Sequence, residues 1–469
     1  MNAKPVIVGG GPAGMSAAME LARHGVECVL LDEASRVGGV VYRGPLREGV
    51  VLDYLGERYR DNMQALHREF EQHRARVDIR LNTRIVGGSD NELFALSQDD
   101  QVAPIPYSQL LLAAGCHERS VPFPGWTTPG VIMLGGLQLQ IKSGVVKPLG
   151  RTVLVGTGPL LPLVACQLHR AGAEVAGVYE ASAFGRLAKE AIALLNQPQL
   201  FLDGLSMVAY LKRHGIPLHY GWGVVEAHGE AELSEVTVAP YDADWNADLT
   251  RTRRFPAQTL AVGYGFIPRT QLTQQMGLEH HYADDGFLKP ASDDWQRSSR
   301  DNIHLAGDIG GLRGGEAAMI SGRIAALSML LQLGKLDERQ ALSQRQRLLD
   351  ELASILRFRK GIDSFTRRGR GQLALPARDT VICRCEHATR QDIDTALEQG
   401  VNDLISLKMR TRVSMGDCQG KMCVGYCSDR LREHTGKRDV GWIRPRFPLD
   451  PLPFSAFSAI DAQQTEEEI

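Results

Sequence analysis

Apolar positions near the N-terminus follow the period of a strand, then of a helix, then of a second strand. Residues 5–11 predict a buried strand, and residues 12–24 predict a helix with Pro12 at its first position and Gly25 just past its end. Residues 26–32 predict a second strand. Such a βαβ unit of about thirty residues needs parallel strands, so it predicts a doubly wound α/β sheet.

A second unit of the same kind begins at Arg151. It comprises the predicted strand Thr152–Val155, the helix Pro159–Arg170 and the strand Glu174–Tyr179, with Gly172 as the helix stop. Two such units in one chain predict two related nucleotide-type domains.

The rest of the pattern is less regular. It predicts a polar amphipathic helix over 57–76, strands within 77–86, 93–97 and 108–114, helices over 185–212, a β-rich region over 217–262, a strand over 303–306 and a helix over 316–332. Residues 333–380 predict a linking segment with helical stretches. The Pro-rich and aromatic tail 436–469 cannot form a core of its own, so we expect an arm or disorder.

Composition narrows the class of protein. Hydrophobic residues are 43% and charged residues 23% of the 469-residue chain, as in ordinary globular proteins of roughly three domains. The net charge of -2 gives no electrostatic reason to bind nucleic acid or an anionic membrane. No apolar run reaches about eighteen residues, and the start of the chain lacks a basic region and a cleavage site, so neither a membrane-spanning helix nor a signal peptide is expected.

The first glycine cluster lies between the first strand and its helix. It reads Gly9-Gly10-Gly11-Pro12-Ala13-Gly14, a G-x-G-x-x-G sequence. Gly9 permits the tight turn, Gly11 admits a pyrophosphate and Gly14 lets the helix pack on the strand. Asp32 follows Gly14 by 18 residues, with Glu33 beside it, where an acid would bind the adenosine ribose. A glycine-rich turn without a ligand is the less favoured alternative.

A second glycine signal over residues 302–323 indicates which dinucleotide binds. It resembles the flavin-closing motif of flavoproteins with two dinucleotide-binding domains, and this resemblance implies FAD. In that family the residue matching Asp308, which follows Gly307, bonds the ribityl chain. The amides of Gly315, Glu316 and Ala317 would open a helix beneath the isoalloxazine. The segments Leu112–Gly115 and Ala261–Gly265 resemble the strands that cross between the two domains, and Gly38-Gly39 lies in a stretch that the family also carries.

The second nucleotide fingerprint is incomplete. Gly156-Thr157-Gly158-Pro159-Leu160-Leu161 has Leu161 where the third glycine belongs, and no basic pair follows Glu180 to hold a 2′-phosphate. The domain is therefore predicted to be NAD-like in structure without working in NAD(P)H catalysis. It could still hold an adenine nucleotide structurally.

Eight cysteines divide into isolated thiols and one cluster. Cys28, Cys116 and Cys166 stand alone in apolar surroundings, and we interpret them as buried thiols without chemistry. Because they form no close pair, the dithiol of a disulfide reductase is not expected. The other five lie near the C-terminus, which indicates a metal site among reduced thiols and not a disulfide framework.

The cluster has the form C-x-C, then 32 residues, then C-x4-C. Its ligand candidates are Cys383, Cys385, Cys418 and Cys423. Zinc modules usually use C-x2-C, so a [2Fe-2S] cluster is favoured and zinc is the alternative. Cys383–Glu386 and Lys408–Gly420 resemble the domain of bacterioferritin-associated ferredoxins, which implies [2Fe-2S]. Cys427 is expected to be a bystander.

The three modules together resemble the FAD/[2Fe-2S] electron-transfer subunits of multi-subunit amine and amino-acid dehydrogenases. That family includes subunits of opine oxidase, D-hydroxyproline dehydrogenase and hydrogen cyanide synthase. The expected fold is α/β: a flavoprotein with two dinucleotide-binding domains, the NAD-like one inserted in the FAD domain, and a small helical [2Fe-2S] domain. The expected boundaries are 1–115 and 263–335 for the FAD domain, 116–262 for the NAD-like domain, 336–378 for linking helices, 379–435 for the cluster domain and 436–469 for the arm.

The resemblance also implies partners and an activity. The stretch Asp32-Glu33, then Gly38 to Leu46, is most similar to the glycine-oxidising, cyanide-forming branch. A glycine oxidase-like flavoprotein subunit would oxidise glycine to cyanide and carbon dioxide, and a small ferredoxin-like [2Fe-2S] subunit would complete the complex. This chain would pass electrons towards a respiratory acceptor at the inner face of a bacterial membrane, attached peripherally through its partners.

Several alternatives stay open. An opine oxidase or a D-hydroxyproline or proline dehydrogenase would share the layout, and a self-sufficient NAD(P)H-dependent flavin reductase or a scaffold with vestigial cofactors are further candidates. No constellation of nucleophile, acid and base stands out in the sequence, so no catalytic residue is assigned.

Overall fold

Short apolar strands from distant parts of the sequence form the first sheet. The computed structural model describes residues 3–47, 49–283 and 287–456. The strands of this sheet are, in spatial order, Ile303–Leu305, Leu110–Leu112, Val6–Val8, Cys28–Leu31 and Val77–Arg80, all parallel. Apolar runs such as Val-Ile-Val and Leu-Leu-Leu are wholly buried here, as expected for strands covered on both faces.

Different elements cover the two faces of the first sheet. The helices Pro12–Arg23, Glu57–His73 and Gly315–Gln332 pack on one face around a core of Met, Leu and Ala side chains. An antiparallel sheet packs on the other face, with strands Arg84–Gly88, Glu92–Leu96 and Val102–Pro106. The arrangement leaves the carboxyl ends of the parallel strands at one edge, where ligands bind in doubly wound folds.

The second sheet repeats the first. Its parallel strands are, in order, Leu218–Tyr220, Glu174–Glu180, Arg151–Gly156, Thr259–Gly263 and Val131–Met133. The helices Leu160–Arg170 and Pro198–Arg213 cover one face. The antiparallel strands Trp222–His228, Glu235–Pro240 and Arg253–Pro256 cover the other.

The chain crosses between the two sheets through a pair of antiparallel strands, Cys116–Glu118 and Phe266–Pro268. The remaining α-helices before residue 370 are Gly39–Tyr42, Leu134–Leu139, Phe184–Lys189, Ala191–Leu194, Gln271–Gln275 and Glu338–Phe365, with a π-helix at Gln140–Gly144. Short 3-10 turns lie at Asp53–Leu55, Arg74–Arg76, Leu249–Arg251, Gly307–Gly310 and Arg370–Ala374, and a hairpin joins His280–Tyr282 to Leu288–Pro290.

The region predicted as a linking segment contains one helix of 28 residues, Glu338–Phe365. Its N-terminus is capped by Asp337, whose side chain accepts a hydrogen bond from the Gln340 N–H. The segment that follows, residues 366–375, runs over the second sheet and leads into the C-terminal domain.

The C-terminal domain has a core of its own. It comprises the strands Val381–Cys383 and Ala388–Thr389 and the helices Arg390–Glu398, Leu404–Thr411 and Val424–Thr435. Thr389 and Asp392 form a capping box at the start of the helix Arg390–Glu398.

The described part of the tail is an arm along the first domain. Leu449 is buried there and its N–H donates to the Val86 carbonyl, while residues 457–469 of the predicted arm lie outside the described residues. Within residues 3–47, 49–283 and 287–456, no helix is both long and apolar enough to cross a membrane.

Candidate cofactor sites

The first glycine turn is tight at two positions and open at a third. Gly9 has a φ of +106°, and a Cβ on it would lie 2.3 Å from the Ala113 carbonyl oxygen. A Cβ on Gly14 would lie 1.9 Å from the Gly9 oxygen, so the helix can approach the strand only without a side chain there. A Cβ on Gly11 would meet no atom nearer than Gly39 Cα, at 3.8 Å.

The open space beside Gly11 has the character of an anion site. Gly11 caps the helix Pro12–Arg23 without a side-chain hydrogen bond, so the first amides of that helix, including Ala13, are not covered by a capping side chain. Gly39 closes the opposite side, where a Cβ would lie only 2.8 Å from Gly11 Cα. Helix amides with the positive end of the dipole fit a diphosphate.

The two acids after the second strand have different surroundings. Asp32 accepts hydrogen bonds from the N–H groups of Gly10, at 2.6 Å, and Ala34, at 2.7 Å, and burial raises its pKa. Asp32 therefore shapes the glycine turn itself. Glu33 is more exposed and accepts from Arg269 at 2.7 Å. Both carboxylates lie at the carboxyl end of the strand Cys28–Leu31.

The closing motif meets the first turn. Asp308 Oδ1 accepts from the N–H groups of Arg313, at 3.0 Å, and Gly314, at 3.4 Å. A Cβ on Gly307 would lie 3.1 Å from the Ala13 side chain, so the two glycine turns are adjacent. The helix that begins at Gly315 has no side-chain cap, which leaves its first amides, including that of Ala317, available to a bound group. In its first turn, the Glu316 carboxylate lies 3.2 Å from Arg58.

The expectation that Cys116 is a buried thiol in apolar surroundings is wrong. The side chain is partly exposed and its Sγ donates to Asp308 Oδ2 at 3.5 Å, because the crossing strand that follows Gly115 runs directly past the closing turn. Cys28 and Cys166 are buried in apolar cores, as expected. The position of Cys116 just after a crossing segment is the signal that sequence reasoning passed over.

Sequence reasoning also missed Lys142. This lysine is only 1% exposed and donates to the carbonyl oxygens of Val40, at 2.5 Å, and Val41, at 3.0 Å. It thereby ties the π-helix of the second domain to the short helix that starts at Gly39. Burial lowers its pKa to about 7.

The second glycine turn is filled by the protein's own groups. The buried Glu180 carboxylate accepts from the Gly158 N–H at 2.8 Å, the Thr157 hydroxyl at 2.7 Å and the Ser182 N–H at 2.9 Å. Burial raises the pKa of Glu180 to about 7. Leu161, in place of the third glycine, is fully buried in the core between helix and sheet.

The segment after the long helix lies against the same turn. The Ser182 hydroxyl donates to the Phe365 carbonyl at 2.7 Å, and Thr366 Cγ2 would lie 3.1 Å from a Cβ on Gly158. Arg186 donates to the Arg367 carbonyl at 2.9 Å. This segment therefore packs directly against the second glycine turn.

The four cysteines of the C-terminal motif come together in two pairs. Cys423 is the leading cause that raises the pKa of Cys383, and Cys385 interacts with Cys418, so the sulfurs lie close together in two pairs. Two irons that each take two thiolates suit four cysteines arranged in two pairs.

Backbone amides lie near two of the cysteine sulfurs. Those of Ser414 and Glu386 act to lower the pKa of Cys383, and that of Cys418 acts to lower the pKa of Cys385. The contact with Cys423, followed by burial, raises the pKa of Cys383 in the thiol form. N–H donors of this kind stabilise the thiolate form that iron requires.

The loop Cys418–Cys423, called the cluster loop below, is held close by small residues. A Cβ on Gly416, just before the loop, would lie 2.3 Å from Cys385 Cβ. Cys427 is fully buried in the domain core, beside Cys423. Cys385 is exposed, so this end of the site faces solvent.

Two family descriptions match the chain. Residues 3–325 match the pyridine nucleotide-disulphide oxidoreductases, and residues 381–433 match the BFD-like [2Fe-2S] binding domain. The second match coincides with the paired cysteines.

Relatives match over nearly the whole chain. The chain is 66% identical over 469 residues to the HcnB subunit of hydrogen cyanide synthase from Pseudomonas protegens, covering 100% of both chains. It is 30% identical to an opine oxidase subunit of Agrobacterium tumefaciens, covering 95% of this chain and 90% of that one. L-proline dehydrogenase from P. horikoshii has a similar fold, with a TM-score of 0.69, 18% identity, and coverage of 97% of this chain and 79% of that chain.

Proposed function

This chain belongs to the pyridine nucleotide-disulphide oxidoreductases and, within them, to the family that holds HcnB of hydrogen cyanide synthase and its opine oxidase counterparts, and we propose that it is the electron-transfer subunit of a cyanide-forming glycine dehydrogenase. The observation that carries the proposal is the 66% identity to HcnB of Pseudomonas protegens over the full length of both chains. Opine oxidase subunits, at 30% identity, are more distant.

The cofactors of the chain are FAD and a [2Fe-2S] cluster. The described residues fit both groups. The open cradle between Gly11 and Gly39 can receive the FAD diphosphate, and the paired thiols with their N–H donors can receive two irons. We propose that Asp32 or Glu33 faces the ribose and that Asp308 faces the ribityl chain.

The protein contributes orientation and charge. When bound, the flavin takes up two electrons and the cluster accepts them one at a time. The uncapped amides at Gly315 and the helix dipole behind them favour negative charge on a group bound there. The N–H groups of Arg313 and Gly314 hold Asp308 in one orientation. This chain thus acts as an oxidoreductase within a complex.

The proposed partners follow from the reaction. A glycine oxidase-like flavoprotein subunit would remove four electrons from glycine in two steps, through an imine, leaving hydrogen cyanide, carbon dioxide and four protons. A small ferredoxin-like [2Fe-2S] subunit would complete the complex. Electrons would leave through this chain towards a respiratory acceptor at the inner face of the bacterial membrane, where attachment would be peripheral.

Direct reduction by NAD(P)H is disfavoured by the second glycine turn. The Gly158 amide is held by Glu180, and the segment that begins at Thr366 lies against it. A nicotinamide dinucleotide would have to displace both. A structural adenine nucleotide would face the same obstacle.

The test is made on the complex isolated through a tag on this chain. We expect glycine to reduce its flavin and to give one cyanide per glycine with an artificial dye, while an opine, proline or NADH gives no turnover. This chain purified alone should not oxidise glycine. Flavin reduction by an opine or proline and not by glycine would contradict the proposal.

A further inference from the structure

One short strand separates the flavin site from the cluster domain. In Cys116–Glu118, successive side chains point to opposite faces, as in any strand. The Cys116 thiol is directed at Asp308 in the closing turn. The next side chain, His117, is directed the other way, and its Nε2 lies 3.2 Å from the carbonyl oxygen of Lys421 in the cluster loop. The two cofactor sites are therefore joined by adjacent residues of one strand.

The contact between the strand and the cluster loop is fixed on both sides. The Ser120 hydroxyl donates to the Met422 carbonyl at 2.6 Å, and Trp126 Nε1 donates to the Val381 carbonyl at 2.6 Å. Within the loop, the Lys421 N–H donates to the Cys418 carbonyl at 3.1 Å. The first two bonds join the cluster domain to the segment that follows Gly115, and the third lies within the loop itself.

His117 has an unusual hydrogen-bond inventory. Because its Nε2 faces a carbonyl oxygen, Nε2 carries the proton and Nδ1 is a bare acceptor. Nδ1 is buried and has no partner among the described residues. A buried acceptor without a partner costs free energy that an apolar side chain at this position would avoid. The packing of the strand alone therefore does not explain a histidine here.

Building on the proposed electron-transfer function, we propose that His117 is the positioning residue that couples the flavin to the [2Fe-2S] cluster, through its Nε2–H hydrogen bond to the Lys421 carbonyl. In each transfer one electron leaves the reduced flavin and converts one ferric ion of the cluster to ferrous iron. The proton that leaves the flavin with it passes to water. His117 itself is neither oxidised nor reduced and keeps its proton.

The test measures transfer inside this chain, without glycine or partner subunits. Laser-flash reduction of the bound flavin starts the reaction, and freeze-quenched EPR of the reduced cluster follows the arrival of the electron. We expect His117→Phe, which keeps a ring but loses the hydrogen bond, to slow this transfer by roughly tenfold or more with flavin and iron content unchanged. His117→Gln, which can still donate to the Lys421 carbonyl, should recover most of the rate.

Ser120→Ala is the matched control. It removes the neighbouring hydrogen bond to Met422 between the same two segments, and its transfer rate should stay near that of the unaltered protein. An equal loss in Ser120→Ala and His117→Phe would show that domain docking, not His117, sets the rate, and would overturn the proposal. So would an unchanged rate in His117→Phe. If the Phe variant does not fold, equal rates in His117→Gln and His117→Asn, whose shorter amide cannot reach the carbonyl, would overturn it too. Failure of glycine oxidation would leave this result intact and would bear on the proposed function alone.

Discussion

Asp32 and Glu180 occupy equivalent positions in the two nucleotide-binding domains. They differ in which glycine N–H of the neighbouring turn donates a hydrogen bond to them. Each acid follows or ends the strand next to its glycine turn. Asp32 accepts from the middle glycine, Gly10, and the Gly11 N–H has no partner within the described residues. Glu180 accepts from Gly158, the counterpart of Gly11. The first turn thus leaves the Gly11 amide available to a diphosphate. In the second turn the equivalent amide, Gly158, donates to the buried Glu180 carboxylate instead.

Replacement of Glu180 tests whether its buried carboxyl group is protonated in the folded protein near neutral pH. Burial raises the pKa of Glu180 from 4.5 to about 7, so between these values the folded state binds more protons than the unfolded state. Stability must therefore fall as the pH rises through this window, by about 3 kcal/mol in total. In Glu180→Gln this loss should be absent.

The measurement is the free energy of unfolding of variant and unaltered protein at a series of pH values. Other titrating groups are common to both, so their effects cancel in the difference. Glu230→Gln, at an exposed position, serves as the control and should leave the pH dependence unchanged. A parallel pH dependence in the Glu180 variant would show that Glu180 is ionised throughout, held by its three hydrogen bonds.

At the scale of elements, the glycine turn between the N-terminal strand and helix contains glycines of two kinds: those that the fold requires and one that only a ligand would require. Gly9 and Gly14 are required by contacts with backbone atoms, so side chains there would disturb the fold. Gly11 is required by no contact of this kind, since its φ is -78° and its Cβ would come no nearer to another atom than 3.8 Å, an ordinary van der Waals distance. A glycine that the fold does not need is explained by a ligand.

Gly11→Val should therefore give a folded protein without flavin. The valine methyl groups would occupy the space of the diphosphate, while the cluster domain, which is built elsewhere, keeps its iron. Flavin absorbance, iron content and circular dichroism measure the three parts separately. Gly204→Val, at another open position on a helix, is the control and should retain flavin. Normal flavin content in Gly11→Val would place the diphosphate elsewhere.

At the scale of the whole molecule, features formed by residues close together in the sequence could be predicted, whereas contacts between residues far apart in the sequence could not. The glycine turns, the capping box and the cysteine spacing are local patterns, and the predicted α/β flavoprotein fold with its [2Fe-2S] domain is confirmed. The domain boundaries and the individual FAD contacts stay predictions. The contact of Thr366 with the second glycine turn and that of His117 with Lys421 join segments far apart in sequence. Thr366 and His117 themselves stand in no local pattern that points to a distant partner, so neither contact could be predicted.

The cluster's place in electron flow can be separated from the flavin's by one cysteine. Cys418→Ser replaces a soft thiolate with a harder oxygen, so the cluster should be labile or lost. The flavin should stay, because its site is built around Gly11 and Asp308 in the other domain. In the assembled complex, glycine should still reduce the partner's flavin, while turnover with the final acceptor falls strongly. Stopped-flow reduction and steady-state turnover measure these two halves.

Cys427→Ser is the matched variant within the same domain. Cys427 is buried beside Cys423 but lies outside the two sulfur pairs, so the substitution should cost stability in the domain core without removing iron. Its acceptor turnover should therefore remain near that of the unaltered complex. If a Cys418→Ser complex shown to lack iron still turned over the acceptor at full rate, the cluster would be structural and electrons would leave the flavin by another route. If instead the Cys427 variant lost iron and the Cys418 variant kept it, Cys427 would be a cluster ligand in place of Cys418.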